Sequence, residues 1–194
     1  MSGRLILNQI EGKPGASNVV TVPTGHKVVG VDTGSVYAPG CIIQVVHQTI
    51  NDEKTSASHG ITNGTWQFTG VTATITPKLS TSKILIQYAQ SYFYQTAGSN
   101  GGPQGFGSQI YRGTTSITTK KGFAGFYLDP GNASNHRHHG YDYGTHLDSP
   151  NTTSAVTYNI YGYFWSSDWS DLLYQYNNGT NDSPSTITLM EIAQ

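Results

Sequence analysis

Two runs, SKILIQYAQSYFY at 82–94 and TSAVTYNIYGYFW at 153–165, set the limits on what this chain folds into. In the first, Ile84, Ile86 and Tyr88 alternate with Leu85, Gln87, Ala89 and Ser91; in the second, Val156, Tyr158, Ile160 and Phe164 alternate with Thr157, Asn159 and Tyr161. A period of two puts the two sets on opposite faces of an extended strand. Strands of about 11–13 residues are roughly twice the usual length, and two sheets packed face to face are the simplest way to cover them.

Shorter β-prone stretches recur at 5–10, 18–23, 26–31, 41–50, 65–70, 71–77, 108–113, 122–128, 172–176 and 185–192. Turn residues separate them, and apolar residues never hold the i, i+3, i+4 spacing of a helix over a useful window. The fold class expected is all-β, a jelly-roll β-sandwich in one main domain. Charged residues make up 11% of the chain, well under the roughly 25% of a typical globular protein, while Gly (23) and Tyr (13) are abundant. A net charge of −1 with scattered Lys and Arg offers no footprint for a phosphate backbone, so nucleic acid is not an expected partner.

The N-terminus, MSGRLILNQIEGKPG, lacks the hydrophobic stretch of a signal peptide, and no run approaches the ~20 apolar residues of a membrane span. A soluble protein made in a cytosol is expected. Cys41, the lone cysteine, sits in the apolar run CIIQVV and reads as a small buried thiol. The first forty residues are broken at Lys13-Pro14-Gly15, Pro23-Thr24-Gly25 and Asp32-Thr33-Gly34 and closed by Ala38-Pro39-Gly40. Too few apolar residues lie between these breaks to form a core, so this part must pair with other copies or dock on another protein if it is ordered. The division expected is an attachment stem at 1–39 and a head domain at 40–194. Two segments lack strand alternation and read as loops: the Gly-rich 95–107 and the Gly, Asn, His and Tyr-rich 129–152.

From about Tyr37 onward the chain resembles the small β-sandwich heads of bacteriophage fibre and collar proteins, whose fold is similar to the TNF/C1q-like trimeric jelly roll. The residues that carry the resemblance are APGCIIQVV at 38–46, GTWQFTGVTATITPKLSTSKILI at 64–86, IYRGTTSI at 110–117, LDSPNTTSAVTYNIY at 147–161 and STITLMEI at 185–192. The preceding VTVPTGHKVVGVDTGSVYAPG looks like the short stem of such heads. The resemblance implies a homotrimeric virion structural protein, a short tail fibre or fibre-like appendage. Its head would attach to the host surface, with glycan as the expected ligand class, and its stem would bind other virion proteins. It implies synthesis in the bacterial host cytoplasm. The alternative is a capsid decoration or collar protein that stabilises the particle and reads no receptor.

The last strand fits a trimer. Ile187 and Leu189 point one way and Thr188, Met190 and Ile192 the other, so both faces carry apolar groups. Met190 and Ile192 are the candidate trimer-axis residues; the competing reading is a central strand covered on both faces within one subunit.

The stretch NHRHHGYDYGTH at 135–146 holds four of the seven histidines. His136 and His138 are spaced to reach one ion from an extended backbone, an HxH pattern that resembles the metal-binding tips of some long phage tail fibres. Arg137 between them opposes a cation, so no metal or other cofactor is favoured. His136, His138, His139, Tyr141 and Tyr143 are instead the candidate receptor contacts, together with Trp169 from the aromatic group Trp165, Trp169, Tyr174 and Tyr176. Aromatic faces stack on sugar C–H surfaces while Asp and Asn bond hydroxyls. His146 reads as structural and Trp165 as core.

No enzyme is expected. Asp142, Asp148, Asp168, Asp171 and Asp182 could supply the two carboxylates of a glycosidase, yet each also serves as a turn former beside Ser, Gly, Asn or Pro. No GxSxG elbow is present, and the glycines at 98–107 precede neither a Lys-Ser/Thr pair nor a helix.

Overall fold

The computed structural model describes residues 22–29, 36, 38–52, 54–55, 63–95, 104–118, 126–128, 137–166, 171–175 and 183–194. The chain separates into two compact units, Met1–Val36 and Tyr37–Gln194. In the first, a turn closes where the His26 amide donates to the Pro23 carbonyl (3.0 Å), with Gly25 at φ +84°. Residues 26–29 are exposed and irregular, so the strand expected at 26–31 does not begin there. The apolar Val28 and Val29 are each 66% exposed.

The second unit is all-β. Its strands are β1 (Ile42–Ile50), β2 (Lys54–Thr55), β3 (Trp66–Ile75), β4 (Lys83–Gln95), β5 (Gln104–Arg112), β6 (Thr115–Ser116), β7 (Phe126–Leu128), β8 (Arg137–Asp148), β9 (Val156–Ser166), β10 (Asp171–Tyr174) and β11 (Ser185–Ile192). They form two antiparallel sheets. The first runs β1-β11-β4-β10-β2, with β8 also paired to β4; the second runs β3-β9-β5-β6, with β7 also paired to β5. The long strands β3, β4, β5, β8 and β9 alternate between the sheets along the chain, the jelly-roll habit of crossing from one layer to the other.

Alternation builds the core between the layers. Val71, Ala73 and Ile75 of β3, Ile84, Ile86 and Tyr88 of β4, Ile110 of β5, Val156, Tyr158 and Ile160 of β9, and Ile187 and Leu189 of β11 form one buried cluster. A second cluster of Tyr92, Tyr94, Phe106, Phe164 and Tyr174 fills the other end. Each buried aliphatic side chain contributes about 1.5–3 kcal/mol relative to exposure.

Polar side chains tie the strand ends to this core. Glu191, fully buried on β11, accepts from the Lys78 amide (2.8 Å), the Leu79 amide (3.1 Å) and Gln44 Nε2 (2.6 Å). Where β4 passes from β11 to β10, Ser91 Oγ donates to the Ser183 carbonyl (2.6 Å) and accepts from the Gln175 amide (3.0 Å).

Several sequence expectations change. The segment 129–152, read as a loop, contains β8, which pairs with β4 through all twelve residues from Arg137 to Asp148. The Gly-rich 95–107 gives way to β5 from Gln104 onward. The pieces expected at 65–70 and 71–77 are one strand, β3, whose pairing with β9 shifts register between Phe68 and Thr72. Cys41 is only half-buried: its Sγ accepts from the Ala38 amide (3.0 Å) in the turn before β1.

Candidate functional site

The β8 strand escaped detection because its inward positions carry no apolar residues. His138, Gly140, Asp142, Gly144 and His146 face the sandwich, while Arg137, His139, Tyr141, Tyr143, Thr145 and Leu147 face outward. Tyr88 and Tyr92 of β4 stand directly opposite Gly144 and Gly140. A Cβ on Gly140 would lie 2.7 Å from the Tyr92 hydroxyl, and one on Gly144 would overlap the Tyr88 ring. The tyrosines thus supply the side-chain volume that β8 lacks.

Asp142 sits between these two pairs and accepts a hydrogen bond from Ser108, whose Oγ also meets the Tyr88 hydroxyl (2.8 Å). Burial, followed by the charge of Asp142, pushes both Tyr88 and Tyr92 up to about 12. Asp148 accepts from Arg112 Nη1 (3.0 Å) and from the Tyr158 hydroxyl (2.7 Å). Both carboxylates are buried and engaged in holding strands together. Asp168 and Asp182 lie outside the described residues, as does the side chain of Asp171.

Of the candidate receptor contacts, His136 and Trp169 lie outside the described residues. His138 turns inward and stacks on Tyr92, with centroids 5.5 Å apart and planes at 6°. Burial, then the neighbouring His139, lowers its pKa, which disfavours the imidazolium. His138 and His139 face opposite sides of the strand. Among the described residues no group of three or more His, Cys, Asp or Glu is placed to hold a metal ion.

His139, Tyr141 and Tyr143 form an outward ladder, with centroids 6.3 Å and 6.0 Å apart along the strand, and Phe93 of β4 stands 6.4 Å from His139. Tyr143 is 70% exposed and borders a shallow groove of about 430 Å³ lined by Gln87, Tyr88, Tyr143, Gly144 and Thr145.

Met190 and Ile192 occupy the same outer face as this ladder, two strands away on β11. Strand pairing aligns Val45, Met190, Leu85 and Leu147 in one row across β1, β11, β4 and β8, with Ile42 opposite Ile192 beside it. Ile42 (55%), Val45 (56%) and Leu147 (46%) are exposed. Trimer-axis and receptor-contact candidates, assigned separately from the sequence, therefore share one continuous surface.

The outer face of the second sheet has a different chemistry. Trp66 of β3 pairs with Tyr163 of β9 (centroids 5.3 Å), Phe68 with Tyr161 (5.9 Å), and Tyr111 of β5 stacks on Tyr161 (3.9 Å). Trp165 continues the outward set of β9, whereas the sequence pointed to the core. These aromatics were missed because they are spread over three strands. The available signal was the outward parity of Tyr161, which two further steps extend to Tyr163 and Trp165.

No family model matches the chain, and neither does any curated protein. Among solved structures, one of infectious bursal disease virus, Gt strain, is similar at 12% identity over 87% of this chain and 42% of that one, with a TM-score of 0.34. T=1 particles derived from infectious bursal virus give 14% identity over 87% and 41% of the two chains, with a TM-score of 0.30. A marine algae virus of the order Picornavirales gives 7% identity over 100% and 90%, with a TM-score of 0.21. This chain spans less than half the length of the first two.

Proposed function

We propose that the chain is the subunit of a homotrimeric virion appendage of the short-fibre kind, a binding protein and not an enzyme. Residues 1–39 form the stem that docks on other virion proteins, and residues 40–194 form a TNF/C1q-like head that meets the host surface. The observation that carries this reading is the aliphatic row Val45, Met190, Leu85 and Leu147 with Ile42 and Ile192 beside it. Single exposed apolar residues are ordinary on a monomer, but a contiguous patch spanning four strands marks a surface that another chain covers. A second copy suits it, because the four residues of the row carry no charge and the neighbouring cation, Lys83 opposite Ile192, stands at its edge.

The sequence resemblance over 38–46, 64–86, 110–117, 147–161 and 185–192 supports the virion assignment. The engagement of Asp142 and Asp148 in buried hydrogen bonds supports the non-catalytic one. Three copies on one rigid axis would turn weak single contacts into useful avidity.

Light-scattering mass of the full chain tests the proposal. A particle of about three times 20.9 kDa, unchanged by EDTA, is expected. A trimer that EDTA dissolves would return His136 and His138 to the role of metal ligands. A monomer in both conditions would overturn the trimeric fibre in favour of a decoration protein held by the particle.

A further inference from the structure

We propose that the outer face of the second sheet, built on Trp66, Phe68, Tyr111, Tyr161 and Tyr163, binds a neutral glycan chain. The inference rests on the host-attachment reading and moves the contact surface away from β8, whose outward residues share the face assigned to partner copies.

The geometry begins with β9. Its alternate residues Tyr161, Tyr163 and Trp165 stand on one side about 6.7 Å apart. β3 adds Trp66 and Phe68 in register with Tyr163 and Tyr161. On the other flank β5 sets Gly107 opposite Tyr163 and Gly105 opposite Trp165, so no β5 side chain rises beside those two residues. Phe68 is 47% exposed. The rings within each pair are tilted by 40° and 48° to one another, so the surface is not one flat plane. That shape fits a soluble, twisted chain of sugar rings better than a flat crystalline one.

Polar groups border the aromatics. Thr72 Oγ1 donates to Asn159 Oδ1 (2.7 Å), Asn159 Nδ2 donates to the Gly113 carbonyl (2.8 Å), and Thr74 and Thr157 share a hydrogen bond (2.8 Å). These fixed hydroxyl and amide groups, with the tyrosine hydroxyls, can exchange hydrogen bonds with sugar hydroxyls. Among the described outward residues of β3, β5 and β9 none is charged. An anionic sugar or phosphate would find no counter-charge there. The first sheet's outer face joins its tyrosine ladder to a row of aliphatic groups; the described outward residues of this one combine rings, hydroxyls and amides, the pairing that sugars require.

Affinity electrophoresis of the full chain through gels containing amylose, mannan, xylan or galactan tests the site, with heparin as the anionic control. Retardation by at least one neutral polysaccharide is expected, weakened about tenfold by Phe68→Ala and by Tyr163→Ala. Light-scattering mass and far-UV circular dichroism of both variants should match the parent. Phe68→Ala removes a half-exposed ring, so it keeps the test valid if Tyr163→Ala fails to fold.

No retardation by any neutral gel, retardation by heparin alone, or retardation indifferent to both substitutions would overturn the proposal. A fall in mass in either variant would assign the face to a protein interface instead. A monomeric parent that still binds neutral polysaccharide would refute the trimer and keep this site, so the two failures are distinguishable.

Discussion

The ring of Tyr88 occupies the space that a side chain at position 144 would need, directly across the β4–β8 pair from Gly144. Gly144→Ala therefore forces the ring or the strand to move, at a cost of about 1–3 kcal/mol. Thermal unfolding should show a lower midpoint. Shortening the partner, as in Tyr88→Ala combined with Gly144→Ala, should make the two effects non-additive; strict additivity would show that the pair does not act as a unit.

Glu191 predicts the behaviour in acid. Burial raises its pKa, and hydrogen bonds from Gln44 and the Leu79 and Lys78 amides outweigh that effect, so the folded value lies below the ordinary 4.5. The stability it contributes is whole above pH 4.5 and is lost as pH falls through the lower folded value. Urea unfolding between pH 5 and 3 should show a decline that Glu191→Gln flattens, from a lower starting point at pH 7. Equal slopes in parent and variant would remove Glu191 from the account.

At high pH the two tyrosines opposite the glycines should ionise late. Their folded values lie near 12, above the ordinary 10.0, so the associated stability is present below pH 10 and lost as pH rises through about 12. Absorbance at 295 nm should record a late-titrating group of tyrosines. Asp142→Asn should move part of that group toward lower pH, because the Asp142 charge is the second cause after burial.

On the first sheet's outer face, Met190→Lys places an ammonium in the aliphatic row. If copies meet there, each buries an unpaired charge, and the trimer should dissociate to monomer with its circular dichroism intact. A Met190→Lys trimer of unchanged stability would locate the contact elsewhere.

How much of this was legible in the sequence depended on which face of a strand carried the apolar residues. β4 and β9 were readable because Ile86, Tyr88 and Ile160 alternate with residues of a different kind, and β11 because it is apolar on both faces. In β8 the pattern is reversed, with aromatics outward and Gly, His and Asp inward, so period-two reading by hydrophobicity found no core face and returned a loop. The volume that defines its inner side belongs to Tyr88 and Tyr92, some fifty residues earlier in the chain. For the same reason His138 and His139 could not be separated by composition, although one packs on Tyr92 and the other joins an outer ladder. The row from Val45 to Leu147 is a property of four paired strands, and only their register brings it together.

The two tyrosine–glycine pairs also bear on how β8 finds its place. A strand without an apolar face has little to choose between one alignment and another two residues away. Here a slip of two toward the N-terminus of β8 would set the Tyr88 ring against Asp142 and the Tyr92 ring against His138, and a slip the other way would set them against His146 and Asp142. In either case each ring would stand directly opposite a residue with a side chain, where it now stands opposite a glycine. Four residues apart on both strands, the pairs act like the teeth of a key: the alignment of β8 is chosen by where bulk is missing.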